Sequence, residues 1–219
     1  MKSVKNFFDN YAKPFSQISG SISGYYSNNR ISGLTTRLLR NSMLKRYHYT
    51  VNSILESDSK SLLDIGCGPG DYSLALRNKG INEILALDFS VNMLELAKRT
   101  EKEQFGDNII DWLFEDYLDL KVSKKYDASI AVGVLDYIEN PDSFINKIIS
   151  ETDKISVISF PKKYDLMSLQ RKIRYKKKCY LRFYTMSDLK LLFNRYHKSH
   201  SVVINNFGRD YLVKITKNG

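Results

Sequence analysis

LLDIGCGPG, at residues 62–70, is the stretch that decides the fold of this 219-residue chain. Its first four residues form a short apolar run that predicts a buried strand, and three glycines at alternate positions predict a tight turn behind it. The residues that follow, 71–77, carry apolar side chains at helical spacing. A strand, a glycine turn and a helix start in this order predict a site where a nucleotide-like ligand meets free backbone N–H groups.

Two acids flank this turn and distinguish between possible ligands. Asp64 lies just before the turn, where a carboxylate repels a pyrophosphate but attracts an ammonium group. The dinucleotide fingerprint also requires a third glycine where Asp71 stands. A second apolar run ends in Asp88, 20 residues after Gly68, and this is the position from which an acid binds ribose hydroxyls. A ligand with an amino acid portion and a ribose fits this pattern better than a dinucleotide does.

The run Asp-x-Gly-x-Gly-x-Gly resembles the first motif of the class I S-adenosylmethionine-dependent methyltransferases. The resemblance implies S-adenosyl-L-methionine as the cofactor, bound around the turn residues Gly66, Cys67, Gly68 and Gly70, in addition to Asp64. More narrowly, the chain resembles a bacterial group that includes the magnesium-protoporphyrin O-methyltransferases. That likeness is carried by Phe7-Phe8-Asp9, residues 40–46, Phe183-Tyr184 and Gly208-Arg209-Asp210-Tyr211. These outer patterns are short, so they do not imply a porphyrin substrate.

Further cofactor contacts are predicted in the N-terminal segment and around the ends of the strands that follow the turn. They are Tyr11, Asp88, Phe89, Ser90, Met93, Asp116, Tyr117 and Gly133. Ser90 is also predicted to cap the next helix. The resemblance implies that Asp116 accepts a hydrogen bond from the adenine amino group, with Tyr117 and Phe89 on either side of the ring. Tyr11 belongs to the N-terminal segment, which the resemblance identifies as a lid.

The segment after the fourth predicted strand narrows the reaction. Methyltransferases that act on amino groups of nucleic acid bases carry an Asn/Asp-Pro-Pro-Tyr/Phe run here, whereas this chain has Val134-Leu135-Asp136-Tyr137. A small-molecule or glycan acceptor, and therefore an O-methyltransferase, is favoured. Asp136 and His48 are candidate bases, and Tyr137 is predicted to line the pocket. The alternatives are that Asp136 only caps the following helix and that His48 is a buried histidine satisfied by a neighbour.

The charge of the chain is unevenly distributed. Residues 57–161 hold 11 Lys/Arg against 19 Asp/Glu, whereas residues 162–182 hold 9 against 1, and the whole chain has a net charge of +10. An acidic core between basic flanks favours an anionic acceptor, such as a nucleotide sugar, a phosphorylated or carboxylated compound, or a lipid-linked glycan at a membrane surface. RNA binding by residues 162–182 and a non-catalytic cofactor-binding scaffold are the alternative functions, and ordinary solvated lysines are the simplest explanation of the flanks.

Together these patterns predict an α/β fold, a doubly wound, mostly parallel seven-stranded sheet with an antiparallel C-terminal strand. Residues 1–56 are predicted to form an N-terminal helical lid that includes a long helix over 35–56. Residues 57–219 form the methyltransferase domain with a basic insertion at 162–182. Further strands are expected at 108–116, 126–133, 154–161, 201–205 and 209–216, and helices at 141–153 and 184–193. The two cysteines lack metal-ligand spacing, and no apolar run suits a signal peptide or a membrane span. A cytoplasmic protein with free thiols and no bound metal is therefore expected.

Overall fold

The structure, a computed structural model, describes residues 34–107, 109–163 and 180–218, and the side chains from residue 41 onward. The predictions for Tyr11, for the first part of the lid and for most of the basic insertion lie outside the described residues. The helices are α1 (Leu34–Glu56), α2 (Asp71–Asn78), α3 (Val91–Phe105), α4 (Pro141–Ser150) and α5 (Met186–Phe193). The strands are β1 (Ser61–Ile65), β2 (Glu83–Asp88), β3 (Asp111–Phe114), β4 (Tyr126–Ala131), β5 (Thr152–Pro161), β6 (His200–Asn206) and β7 (Asp210–Lys217).

The seven strands form one sheet in the order β3-β2-β1-β4-β5-β7-β6. The first five strands are parallel to one another, and β7 lies antiparallel between β5 and β6. This confirms the predicted doubly wound sheet with an antiparallel C-terminal strand. The strand order reverses between β1 and β4, and ligands of open α/β sheets bind outside the carboxyl ends of the strands at this point.

The core lies on both faces of the sheet, because alternate residues of each strand point to opposite sides. On β1, Leu62 joins a cluster with Ile54 of α1 and Leu74 of α2. Its neighbour Leu63 joins the opposite cluster with Phe144 of α4 and Phe193 of α5. Both faces of the central strands are therefore covered, which explains their almost continuous apolar sequence.

Several boundaries differ from the predicted ones. The third strand is only four residues long, because the main-chain pairing of β3 with β2 stops at Phe114 and leaves Asp116 in the following turn. Helix α4 ends at Ser150, since β5 already pairs with β4 from Thr152. None of the helices in the described ranges is long and apolar enough to cross a membrane.

Helix α1 packs against the sheet with the face that carries Thr50, Val51, Ser53 and Ile54, all of them buried. His48 lies outside this face and is exposed, so the alternative that it is a buried histidine is wrong. The edge of its ring contacts the ring of the neighbouring Tyr47, at a centroid distance of 5.5 Å. Helix α1 reaches from the start of α2 to the hairpin formed by β6 and β7. Tyr47 packs against Tyr72 of α2, and Tyr49 packs against Phe207 of the hairpin.

Candidate active site

The glycine turn connects β1 to α2 and adopts left-handed backbone conformations, with φ of +66° at Gly66, +54° at Gly68 and +82° at Gly70. A β-carbon on Gly66 would lie 2.5 Å from Cγ2 of Val134, because the turns after β1 and β4 touch at the reversal point of the sheet. A β-carbon on Gly68 would meet nothing within 4 Å. The turn therefore excludes side chains on one side and presents open space on the other.

The N–H groups of this turn are occupied, which corrects the prediction of free donors. Those of Gly66 and Cys67 both donate to the carbonyl of Leu87 on β2, at 2.8 and 3.0 Å. The Gly68 N–H donates to Oδ2 of Asp88 at 2.9 Å, and that of Gly70 donates to the carbonyl of Cys67 at 3.0 Å. What the turn offers a ligand is close approach to the backbone. Its hydrogen-bond donors hold the turn itself together.

Asp88 braces two elements of the site at once. While Oδ2 accepts from Gly68, Oδ1 accepts from the N–H of Ser90 at 2.8 Å. Ser90 in turn caps α3, and its hydroxyl accepts from the N–H of Met93 at 3.4 Å. Asp88 thus lies at the carboxyl end of β2, between the glycine turn and the start of α3. This is where the sequence places a ribose-binding acid.

Asp64 is buried beneath the turn, with 2% of its surface exposed. The hydroxyl of Ser73, in the first turn of α2, donates to its Oδ2 at 2.6 Å. Burial, helped by the nearby carboxylates of Asp88 and Asp71, raises the pKa of Asp64 to about 7 against the opposing effect of the Ser73 hydrogen bond. Burial, together with the carboxylates of Asp64 and Asp88, also raises the pKa of the Cys67 thiol, which therefore stays protonated.

The remaining predicted cofactor residues lie around the ends of β2, β3 and β4. Phe89 is half-buried and Met93 is buried. Asp116 is half-buried, burial raises its pKa, and its Oδ1 accepts from the N–H of Leu118 at 3.1 Å. Gly133 has a φ of +83°, its N–H donates to the hydroxyl of Ser159 at 2.8 Å, and a β-carbon there would meet nothing within 4 Å.

Tyr117 does not lie where a residue beside the adenine ring is expected. It is buried in the core, its ring packs edge-on against Phe144 of α4, and its hydroxyl donates to Oε2 of Glu151 at 2.6 Å. Lys147 lies over its ring and forms an ion pair with the same Glu151. Tyr117 is therefore a core residue that points away from the end of β2, and its predicted contact with the adenine ring is not supported.

One buried network behind the turn was not predicted. Glu101 of α3 is fully buried, and its Oε1 accepts from the N–H groups of Ile109 and Ile110, each at 2.8 Å. Its Oε2 accepts from the indole N–H of Trp112 at 2.7 Å. The ring of Trp112 lies against Gly70, where a β-carbon would be 2.5 Å from the ring. Lys98 and Lys102 lie close to Glu101 in the sequence, so the local pattern is that of a surface ion pair and gives no hint of this network.

A second unpredicted group is formed by Arg46 of α1, Tyr72 of α2 and Asp210 of β7. Nη1 of Arg46 donates to Oδ2 of Asp210 at 2.6 Å. The side chain of Arg46 also lies beside that of Tyr72, and the negative charges of Asp210 and Asp136 help to raise its pKa against the opposing effect of burial. Nε of Arg46 and the Tyr72 hydroxyl are buried, and apart from the interaction between these two side chains neither finds a hydrogen-bond partner among the described residues. Two orphan donors therefore lie next to the glycine turn.

The predicted acceptor residues follow β4. Asp136 is buried, at 2% exposure, and its negative charge acts on both Arg46 and Tyr184. The backbone carbonyl of Asp136 accepts from the N–H of Arg182 at 2.8 Å, so the chain that returns from the basic insertion is attached to this loop. Tyr137 is half-buried beside it. Helix α4 is capped by Asn140, whose Oδ1 accepts from the N–H of Ser143, and Asp136 has no part in that cap.

The doubly wound sheet and the glycine turn at its reversal point define a Rossmann-like methyltransferase fold. Residues 62–152 match the family described as methyltransferase domain, a family that uses S-adenosyl-L-methionine. This match agrees with the resemblance to the class I S-adenosylmethionine-dependent methyltransferases.

Known proteins similar to the chain agree with this family. A 2-phytyl-1,4-naphtoquinone methyltransferase of Nostoc is 28% identical over 104 residues, which cover 45% of each chain. A ubiquinone biosynthesis O-methyltransferase of Rickettsia canadensis is 32% identical over 114 residues, or 51% of this chain and 45% of the relative. The chain thus matches these curated relatives over less than half of their length.

Among solved structures, magnesium protoporphyrin IX methyltransferase of Synechocystis with bound SAH superposes with a TM-score of 0.71. It is 17% identical, and the match covers 98% of this chain and 99% of that one. The N-methyltransferase NodS of Bradyrhizobium japonicum gives a TM-score of 0.60 at 14% identity, over 81% of this chain and 97% of its own. At these identities the likeness concerns the fold.

The residues of this structure fit the cofactor of the family. The open side of Gly68 admits a nucleoside, and Asp88, whose carboxylate accepts from the Gly68 N–H, lies beside that space with the acceptor chemistry that binds ribose hydroxyls. At the other end, the orphan donors of Arg46 and Tyr72 suit the carboxylate of an amino acid. Helix α2 begins beside these donors. Its N-cap residue is Gly70, which offers no side-chain cap, and the positive end of the helix dipole favours the same carboxylate.

Proposed function

We propose that the protein transfers the methyl group of S-adenosylmethionine to an oxygen atom of an anionic small-molecule or glycan acceptor. The observation that carries the cofactor half of this proposal is the open side of Gly68, bounded by the braced carboxylate of Asp88 and by the orphan donors of Arg46 and Tyr72. Each end of the space has the chemistry of one end of the cofactor.

Arg46 and Tyr72 are assigned to the cofactor carboxylate. A buried donor without a partner destabilises a fold by about 1–3 kcal/mol, so two such donors side by side indicate an absent acceptor. A carboxylate between them would accept from Nε of Arg46 and from the Tyr72 hydroxyl, while Asp210 keeps its bond to Nη1. Asp64, beneath the turn, supplies the opposite charge for the ammonium group.

When bound, the cofactor supplies an electrophilic methyl group on a sulfonium. The residues of this chain orient it: Asp88 at the ribose, Arg46 with Tyr72 at the carboxylate, and Asp116 at the adenine amino group. The acceptor approaches from the loop after β4, where Tyr137 lines the pocket. Alignment of the acceptor oxygen with the methyl group, rather than acid–base chemistry, is then the main contribution of the protein.

The placement of Asp136 bears on which acceptor suits the site. Its carboxylate is buried and acts as a counter-charge for Arg46, which favours a role in holding the site over a role as a proton acceptor. The other candidate base, His48, is exposed. A site without a dedicated base suits an acceptor oxygen that is already ionised, as in a carboxylate, a phosphate or an acidic phenol.

Positive charge around the acceptor side supports an anion. Lys162 and Lys163 follow β5 directly, and Arg209 precedes β7. Arg182 is fixed to the loop after β4 by its N–H bond to Asp136 and by Nη1, which donates to the carbonyl of Glu139 at 3.0 Å. These four cations lie at the carboxyl edge of the sheet, where the acceptor enters. The quinone-related acceptors named for the curated relatives are one source of acidic phenols.

The acceptor proposal is tested by incubating the protein with methyl-labelled S-adenosylmethionine and panels of carboxylates, phenols and phosphorylated sugars. A carboxylate acceptor gives a methyl ester that mild base hydrolyses to labelled methanol, whereas a phenol or a sugar hydroxyl gives a stable ether. We expect label in an anionic acceptor and an unchanged kcat in His48→Gln. Label confined to amines, or to neutral acceptors, would contradict the proposal.

The carboxylate assignment is tested with two ligands that differ in the amino acid portion. S-Adenosylhomocysteine carries it, and methylthioadenosine lacks it. In Arg46→Met we expect the affinity for S-adenosylhomocysteine to fall by about tenfold or more, because one charge-assisted contact is lost. The affinity for methylthioadenosine should not change. Equal losses for both ligands would show that Arg46 acts through the fold and not on the carboxylate.

RNA is the second candidate acceptor, favoured by the same four cations at the edge of the sheet. Binding through phosphates falls steeply as salt rises, since each phosphate contact releases a counterion. A salt titration of RNA binding, with the small-molecule assay run in parallel, separates the two acceptors. RNA affinity that is weak and insensitive to salt removes this candidate.

A further inference from the structure

The ion pair between Arg46 and Asp210 joins parts of the chain that lie 164 residues apart. It is well shielded, with 14% of the Arg46 side chain and 8% of the Asp210 side chain exposed. Asp210 is the first residue of β7 and is paired with Pro161, the last residue of β5. The sheet therefore fixes the acid at its carboxyl edge.

The geometry of the pair determines where the rest of the guanidinium points. Asp210 engages Nη1, which leaves the buried Nε on the side of Tyr72, where the Tyr72 side chain is the one neighbour among the described residues that interacts with it. A free arginine side chain loses the rotamer entropy of a long, flexible chain on binding. A clamp at Nη1 removes much of that freedom in advance, so the donor for the ligand is already in place.

The β6–β7 hairpin holds α1 by contacts on both sides of this ion pair. The hydroxyl of Ser42 donates to the carbonyl of Phe207, at the tip of the hairpin. The ring of Tyr49 packs against Phe207 at 5.2 Å, and its hydroxyl accepts from Nδ2 of Asn205 at 2.7 Å. Positions 42, 46 and 49 share one helix face, so this face is set by the hairpin.

We propose that Asp210 is a positioning residue for cofactor binding: it aims Arg46 at the cofactor carboxylate and so makes the C-terminal hairpin part of the cofactor site. This inference rests on the proposed function, in which Arg46 binds that carboxylate. Asp210 itself touches no ligand. Arg209 is a second ion-pair partner of Asp210, at 3.9 Å against 2.6 Å for Arg46, so the effect of Asp210 on the ligand passes mainly through the orientation and the charge of Arg46.

The test compares Asp210→Asn with a matched variant, Glu151→Gln. Glu151 forms an ion pair with Lys147 at the same distance, 2.6 Å, with 14% of the Glu151 side chain and 21% of the Lys147 side chain exposed. It directly precedes β5, at the opposite edge of the sheet from Pro161. Affinities for S-adenosylhomocysteine and methylthioadenosine are measured by calorimetry on both variants, and unfolding by thermal melts.

In Asp210→Asn we expect about a tenfold loss of affinity for S-adenosylhomocysteine and none for methylthioadenosine, because only the carboxylate contact is misaligned. Glu151→Gln should bind both ligands as the original protein does. Adding Asp210→Asn to Arg46→Met should bring no further loss, since both changes remove the same contact. If Asp210→Asn does not fold, Asp210→Glu keeps the charge but displaces it, and a selective loss for S-adenosylhomocysteine is again expected.

Two results would overturn the inference. One is unchanged affinity for S-adenosylhomocysteine in the folded Asp210 variants, and the other is an equal loss for both ligands. If Arg46→Met is selective while the Asp210 variants are not, the carboxylate assignment stands and the positioning role is refuted. If Arg46→Met shows no selectivity, the carboxylate assignment itself fails.

Discussion

Replacing Gly68 by alanine isolates the role of the open space beside the turn. Gly68 has a φ of +54°, and a β-carbon there would meet nothing within 4 Å. Gly106, which ends α3 with a φ of +81°, has the same two properties but lies at the far end of that helix. Gly106→Ala is therefore a matched control: each substitution puts a methyl group on a left-handed residue without a clash.

The two substitutions should destabilise the fold to a similar extent. A left-handed conformation costs an alanine about 1–2 kcal/mol relative to glycine, and neither site adds steric overlap. The free energy of unfolding should fall by that amount in both variants. Only at Gly68 does the added methyl group occupy the space that we assign to the nucleoside, and a loss of affinity of tenfold or more corresponds to about 1.4 kcal/mol.

The assay is a urea titration for stability and calorimetry with S-adenosylhomocysteine for binding. We expect comparable stability losses in the two variants, with binding lost in Gly68→Ala and kept in Gly106→Ala. A folded Gly68→Ala variant with the original affinity would refute the placement of the cofactor over this turn. Equal losses of affinity in both variants would show that the change acts through the fold.

Three further predictions concern the groups around the turn. Asp88→Asn should lower cofactor affinity by about tenfold or more in calorimetry, since an amide cannot accept from both the Gly68 and the Ser90 N–H groups; unchanged affinity would contradict the role of Asp88. Because the pKa of Asp64 is about 7 in the folded chain, its ionised form is disfavoured at neutral pH. Its contribution to stability therefore falls as pH rises from its unfolded pKa towards 7, and the affinity for a cofactor ammonium group should increase as pH rises through this value. Ser73→Ala should move that increase to higher pH, and a flat pH profile of binding would argue against Asp64 as the counter-charge. Trp112→Phe leaves Oε2 of Glu101 without its donor and should lower both stability and cofactor affinity, with activity at saturating cofactor preserved; a thermal melt and calorimetry that match the original protein would contradict a role for Trp112 in holding Gly70.

The positions of the strands along the chain were predictable because their apolar runs are dense and separated by turn residues. The two acids of the site were predictable for the same reason. Asp64 is the one charged residue in the apolar run of β1, and Asp88 ends the apolar run of β2. Fold class and family motif both follow from local sequence. The start of α4 could also be expected from Pro141, which suits the first turn of a helix.

The contacts that complete the site depend on distant parts of the chain. Nothing near Arg46 in the sequence indicates that Asp210 is its partner, and nothing near Gly70 indicates the ring of Trp112. The partners of the turn N–H groups, such as the carbonyl of Leu87, depend on how β1 and β2 are aligned. Tyr117 carries both a large apolar ring and a hydroxyl, so its sequence position does not decide between core and pocket.

The most direct test of the cofactor site is calorimetric titration of the purified protein with S-adenosylmethionine, repeated with NAD in its place. We predict one saturable site per chain for S-adenosylmethionine, displaced by S-adenosylhomocysteine, and no binding of NAD. Absence of a saturable site, or tighter binding of NAD, would contradict the conclusion that this glycine turn and its acids hold a sulfonium nucleoside.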